Sequence, residues 1–272
     1  MSSVSAAVFD YQTGTSWTVG GDRWFHAAST IKIAILACVY RTLEEERLDP
    51  GHRLLVRNAF PSATDGTPFD VQAEHDTDAD THASIGQTLP VSDLARRMIV
   101  VSGNLATNVL LDFVGVGRAR RILAAARIDE STGVDLVRGV EDDRAFEAGL
   151  SNRVTANGLA GLLRAILDGR FASKAHTADM LDILCGQTFR SGIPAGLPPA
   201  IRAAARIAHK TGEISTATHD AGIVFLPGRA PYVLAVLTGG SGTTAERYAP
   251  IAGVSARVFE AVAGSGLRGF RL

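Results

Sequence analysis

Ser29-Thr-Ile-Lys-Ile-Ala-Ile-Leu-Ala-Cys-Val-Tyr-Arg-Thr-Leu-Glu-Glu-Glu-Arg47 reads as one long helix. Ile31, Ile35, Leu36, Val39, Tyr40 and Leu43 recur at three and four, the acidic run closes its outer end, and Ser29 stands at its start. Upstream, residues 4–10 and 16–20 read as two strands joined by Tyr11-Gln-Thr-Gly-Thr15, a hairpin. Downstream, residues 58–90 are rich in Asp, Thr, His, Gly and Pro without a period, which predicts an extended connection. Helical patterns follow at 91–101, with Ser92 as cap, and then at 104–114, 117–126, 155–167 and 175–185. Strand patterns return at 207–210, 221–226 and 232–238, and an amphipathic helix is expected over 249–263. This order predicts an α/β (α+β) fold: one antiparallel sheet built from both chain ends, flanked by helices, with an inserted all-helical lobe. Residues 1–50 plus 190–272 would form the sheet unit and 51–189 the helical unit, with the site in the crevice between them.

With 272 residues, 46% hydrophobic and 20% charged, the chain is long enough for a large core and too apolar for a disordered segment. A balance of 27 basic against 28 acidic side chains leaves a net charge of -1, which excludes a nucleic-acid binder relying on a basic field. Cys38 and Cys185 stand alone in apolar runs, so neither a disulfide framework nor a metal site is expected. The first residues carry no basic leader and no later segment is apolar over membrane-spanning length, so the expectation is a cytoplasmic protein without membrane contact. Only Lys32, Lys174 and Lys210 are lysines among the 27 basic residues. Where arginine serves nearly everywhere as surface cation, a retained lysine suggests an amine that must lose its proton.

Two of those lysines fall in short motifs, Ser29-Thr-Ile-Lys32 and Lys210-Thr-Gly212, with Ser102-Gly-Asn104 between them. By composition, about 0.2 matches to S-x-x-K and about 0.04 to K-[S/T]-G arise at random. Residues three apart on a helix share a face, so the Lys32 amine can approach the Ser29 hydroxyl. At a helix start, free N–H groups and the dipole favour negative charge on the nucleophile and oxyanion. A lysine desolvated beside a second cation, here Lys210, has its neutral form favoured and can act as the base that serine lacks. Lys210-Thr211-Gly212, at the end of a predicted strand, offers a cation and a hydroxyl for a substrate carboxylate. Its glycine permits close approach, and the backbone N–H of Glu213 can serve as an oxyanion donor beside that of Ser29.

These three motifs resemble those of the serine β-lactamase and penicillin-binding-protein superfamily, nearest to class A-like β-lactamase-related serine hydrolases, over essentially the whole chain. Three further stretches are similar to that group: Arg138-Gly-Val-Glu-Asp142 with Phe146-Glu-Ala-Gly149, Asn152-Arg-Val-Thr-Ala156, and His209-Lys-Thr-Gly212 with His219-Asp-Ala-Gly-Ile-Val224. The resemblance implies an acyl-enzyme mechanism without a cofactor. The expectation is a serine hydrolase taking a small-molecule ester, amide, lactone or lactam, with water as acceptor; the alternatives are ATP-independent acyl transfer to an amine and a sensor that binds a β-lactam without turnover. Ser29 would be nucleophile, Lys32 base, Ser102 proton relay to the leaving group and Asn104 donor to the substrate amide, with Lys210, Thr211 and the Glu213 backbone completing the site.

Two departures stand out. Gly103 replaces the family's usual Asp, removing an anchoring carboxylate. The E-x-x-L-N loop that activates the deacylating water is also short, with Glu141 and Glu147 as alternatives, for each of which a solvated carboxylate is an equally good account. Of the histidines, His52, His75, His82 and His176 read as surface residues. His209 should point away from Lys210, and His219 reads as loop-closing rather than catalytic.

Overall fold

The computed structural model describes residues 3–264; Met1 and Ser2, part of the stretch read as lacking a leader, and 265–272, the end of the expected sheet unit, lie outside them. Strands β1 (Ser3–Asp10) and β2 (Thr15–Val19) form the expected hairpin, and α1 spans Lys32–Glu46. Helices α2 (Val91–Val100), α3 (Asn104–Val114), α4 (Val116–Ala125), α5 (Ala156–Leu167) and α6 (Lys174–Cys185) follow. Strands β3 (Arg206–Ile214), β4 (Ala217–Phe225) and β5 (Tyr232–Gly239) then lead into α7 (Thr244–Ala263).

The five strands make one antiparallel sheet in the order β3-β4-β5-β1-β2. β1 closes onto β5 in the register Ser5 to Leu237, so the two ends of the chain meet in the middle of the sheet. One face carries α7 and the turn Ile193–Gly196 over a cluster that includes Ile207, Tyr232 and Val236. The other face shares a larger cluster with α1 and the helices 91–185. That position explains α1: residues 32–40 are all buried, because the helix is packed among α2, α3, α4, α5 and α6, with α5 between it and the sheet strands β1 and β5.

Several expectations shift. The motif Lys210-Thr211-Gly212 lies inside β3, which runs on to Ile214, rather than at a strand end. α7 begins five residues early: Thr243 and Glu246 form a capping box, and Pro250 falls in the second turn, where its ring interrupts a helical pattern read from sequence. Ser92 does not cap α2; the N-cap is Pro90, and the Ser92 N–H donates to Pro50 O at 2.8 Å. Thr155 does cap α5, accepting from Gly158 N at 3.0 Å. The stretch 58–90 contains the ladder Phe60–Pro61 with Pro68–Phe69 and a helical turn at Ala79–Ala83, both too short for a period to register. Among the described residues no helix is long and apolar enough to cross a membrane.

Candidate active site

Phe25–His26 pairs with Arg153–Val154 and runs into a 3-10 turn, Ala28–Ile31, that opens directly into α1. Ser29 therefore sits in the tight turn before the α-helix proper. In 3-10 geometry residues three apart eclipse, which stacks Ser29 over Lys32 more directly than an α-turn does. Ala28, just before Ser29, is held at φ +45°. A left-handed conformation in a residue with a Cβ costs of order 1–3 kcal/mol and persists only where the surroundings fix it. Here Ala27 N donates to Asn152 O at 2.8 Å and Ala28 N to His26 Nδ1 at 3.0 Å.

Lys32 is fully buried, and its Nζ meets Ser102 O at 2.6 Å, Ser102 Oγ at 3.2 Å and Asn104 Oδ1 at 2.7 Å. The Ser29 hydroxyl is not among these partners. Burial pushes the Lys32 amine down to about 7, against the pull of the Asp76, Glu141 and Asp78 carboxylates. A neutral amine suits this nest: two N–H groups serve the two carbonyl-type oxygens and the lone pair accepts from the Ser102 hydroxyl. Lys210 is also fully buried and donates to Thr211 O at 2.9 Å. Burial and then the nearby Lys32 lower it well below the ordinary lysine range, opposed by Asp220. Gly212 presses against Ser29's turn: a Cβ there would lie 2.9 Å from Thr30 N and 3.0 Å from Ser29 N. Only glycine lets the edge strand approach these N–H groups so closely.

Ser102 precedes α3 at φ +65°. The carboxylate expected at 103 is supplied from the unpatterned stretch instead. Asp76 accepts from Asn104 N and Leu105 N, both at 2.9 Å, so its charge sits on the N-terminus of α3. Asp78 fills the space beside Gly103, whose Cβ would meet its Oδ2 at 2.8 Å. His82, expected at the surface, has a side chain only 10% exposed and contacts Asp76 Oδ2 at 3.1 Å. His52 and His176 are likewise half-buried, and only His75 of those four is exposed.

Asn104, expected to face substrate, bridges instead: Oδ1 accepts from Lys32 while Nδ2 donates to Glu141 Oε1 at 2.5 Å. One N–H of the amide remains for a ligand. Glu141 stands at φ +59° between two anchored neighbours. Val140 exchanges hydrogen bonds of 2.9 Å with the Asn108 amide, and buried Asp142 accepts from Ser62 Oγ and Ala63 N at 2.8 Å. A loop carboxylate free in solvent needs no such fixing. Glu147, by contrast, is exposed at the end of the short helix Asp143–Glu147 and does not line the cleft.

The cleft is an open space of about 490 Å³ lined by Ser29, Asn104, Glu141, Glu213, His26 and Phe146 among others. His26 carries no motif; its Nδ1 accepts from Ala28 N and its ring meets that of Phe146 edge-on, 5.9 Å between centroids. His209 turns away from Lys210 as expected, meeting Asp220 at 2.9 Å on the other sheet face. His219 is buried and structural, its Nε2 on His26 O at 2.9 Å and its Nδ1 accepting from Thr238 N at 3.3 Å, and burial lowers it to about 4.

The beta-lactamase enzyme family model matches residues 2–262. The chain belongs to that family. Among curated relatives, the beta-lactamase of Streptomyces albus G is 26% identical over 92% of this chain and 77% of its own length. The beta-lactamase of Amycolatopsis lactamdurans is also 26% identical, over 92% and 76%. Among solved structures, the acyl-enzyme complex of a PBP-A point mutant with penicillin G aligns at TM-score 0.78 and 26% identity, over 97% of this chain and 91% of that one. The TLA-1 extended-spectrum beta-lactamase, at 19% identity and TM-score 0.81 over 95% and 92%, shares the fold. The fold is thus that of the class A β-lactamases, and family membership makes the chain a serine β-lactamase-like hydrolase.

Proposed function

We propose that this hydrolase works through an acyl-enzyme on Ser29, formed from an ester, amide, lactone or lactam and released to water. The observation that carries the reading is the Lys32 amine, buried, one turn from Ser29, with its neutral form available near pH 7. Ser29 Oγ bonds to the substrate carbonyl carbon as its proton passes to Lys32. The carbonyl π electrons move onto oxygen, where the backbone N–H groups of Ser29 and Glu213 receive the charge. Collapse breaks the bond to the leaving nitrogen or oxygen, which takes a proton from Lys32 through the Ser102 hydroxyl. Lys210 and Thr211 position the leaving side and Gly212 admits it. In the second half Glu141, oriented through Asn104, takes a proton from water as the water attacks the ester carbonyl, and Ser29 recovers its proton as it departs. An acyl-enzyme with penicillin G in the PBP-A mutant is consistent with the first half for a related fold. No step needs a cofactor.

The test is covalent. A fluorophosphonate, or penicillin G followed by intact-mass measurement, is expected to label the wild type once, on the peptide containing Ser29. Labelling that persists in Ser29→Ala would refute the assignment.

A further inference from the structure

Side chains alternate along β3, so Thr211 and Glu213 share one sheet face while Lys210 and Gly212 share the other. Thr211 is buried, and Glu213 stands one step further along the same face, where the strand reaches the cleft. Glu213 lines the cleft together with Ser29. Behind it, Arg247 from the first turn of α7 pairs through Nη2 with Glu213 Oε1 and donates through Nη1 to Ile214 O at 2.6 Å. The Glu213 side chain is 34% exposed and that of Arg247 13%. A molecule entering the cleft therefore meets the carboxylate first and the guanidinium behind it. Arg247 Nε is buried and has no hydrogen-bond partner among the described residues.

The lining's cation, Arg138, is turned onto backbone oxygens. Glu141 and Asp143 stand on the opposite wall. Arg138 spends its Nε on Leu150 O and its Nη1 on Gly139 O, both at 2.9 Å. A carboxylate entering the cleft beside Ser29 would meet Glu213, where like charges in a partly desolvated cleft oppose binding.

Resting on the acyl-serine reading, we infer that the Glu213–Arg247 pair is a charge selector: the cleft takes acyl donors whose leaving side carries no carboxylate. Glu213 withholds Arg247 from ligands, and removing the Glu213 charge converts Arg247 into a carboxylate anchor through its free N–H groups.

Penicillin G and its methyl ester differ only in that carboxylate, so their rates of Ser29 acylation, followed by intact mass, read the selector directly. The ester is expected to acylate wild type about tenfold or more faster than the acid. Glu213→Gln should raise the rate with the acid about tenfold relative to the ester, and adding Arg247→Gln should cut that gain to the part owed to lost repulsion. Glu213→Ala serves the same test if the glutamine variant does not fold. Equal wild-type rates, no gain for the acid, or a gain undiminished in the double variant would each overturn the selector. Fluorophosphonate labelling of Ser29 separates the two readings. If it persists without charge discrimination, the selector alone fails. If no reagent labels Ser29, the acyl-serine reading fails and the selector with it.

Discussion

On one side of the cleft, Lys32 and Lys210 are completely buried in a helix and a strand; on the other, Glu141 stands in a left-handed turn, reached by solvent, its carboxylate accepting from Asn104 Nδ2 and from Gln72 N at 3.2 Å. The inner wall gains its chemistry from exclusion of water, because desolvation is the largest influence on both lysines. The outer wall gains its chemistry from position alone: Asn108, Ser62 and Asn104 fix where the carboxylate points. The contrast matches the two halves of the proposed reaction. Forming the acyl-enzyme needs an unusual protonation state, which a dry core provides, whereas releasing it needs a carboxylate held near water.

The largest effect should come from breaking the inner wall. Lys32→Arg keeps a cation but removes the base, so acylation should fall about 10³- to 10⁴-fold, equivalent to roughly 4–5 kcal/mol. In wild type the ammonium form prevails below its value of about 7 and the amine above, so the acylation rate should rise with pH up to about 7 and then level. Stopped-flow acylation across pH measures both; a rate that falls as pH rises through that range would mean the protonated lysine is the working form.

Breaking the outer wall should separate the two steps. Glu141→Gln is expected to slow deacylation about 10²- to 10³-fold while acylation changes little, so the adduct accumulates in mass spectra. Glu147→Gln, altering an exposed carboxylate away from the cleft, should leave both steps within about twofold. If the adduct is long-lived in wild type, unaffected by either change and discharged by added amines, acyl transfer replaces hydrolysis as the second step.

The smallest effect concerns the support between the walls. Gly103→Asp restores the residue usual in the resembled family, yet its Cβ would meet Asp78 Oδ2 at 2.8 Å and its charge would oppose that of Asp78. The variant should lose about 2 kcal/mol, a melting shift of several degrees by differential scanning calorimetry. An unchanged melting temperature would show that the Asp76–Asp78 segment readily gives way.

The inner wall was legible in the sequence because its residues lie in regular elements: helical spacing joins Ser29 to Lys32, and strand alternation sends His209 away from Lys210. Glu141 was legible only as one of two loop carboxylates, since nothing local distinguishes it from Glu147. What separates them is Asn108, Ser62 and Asn104, contributed by distant segments. Asp76 was not legible at all. It acts 28 positions before Asn104, from a stretch whose elements are too brief to produce a period. The extent of β3 was missed for a related reason: the strand pattern reads only as far as Lys210-Thr211-Gly212, while pairing with β4 keeps the chain extended to Ile214.

Pairing of β1 with β5 has a consequence for synthesis on the ribosome. The first strand to emerge has its hairpin partner at once, but its other edge must wait until Tyr232–Gly239 has been made. Gly212 reaches Ser29's turn on a strand that joins the sheet only through β4 and β5. The nascent chain therefore carries Ser29 long before the rest of the proposed site can assemble around it, with an open strand edge that invites wrong partners in the interval. Competence to react arrives in one late step, when the returning strands insert beside β1.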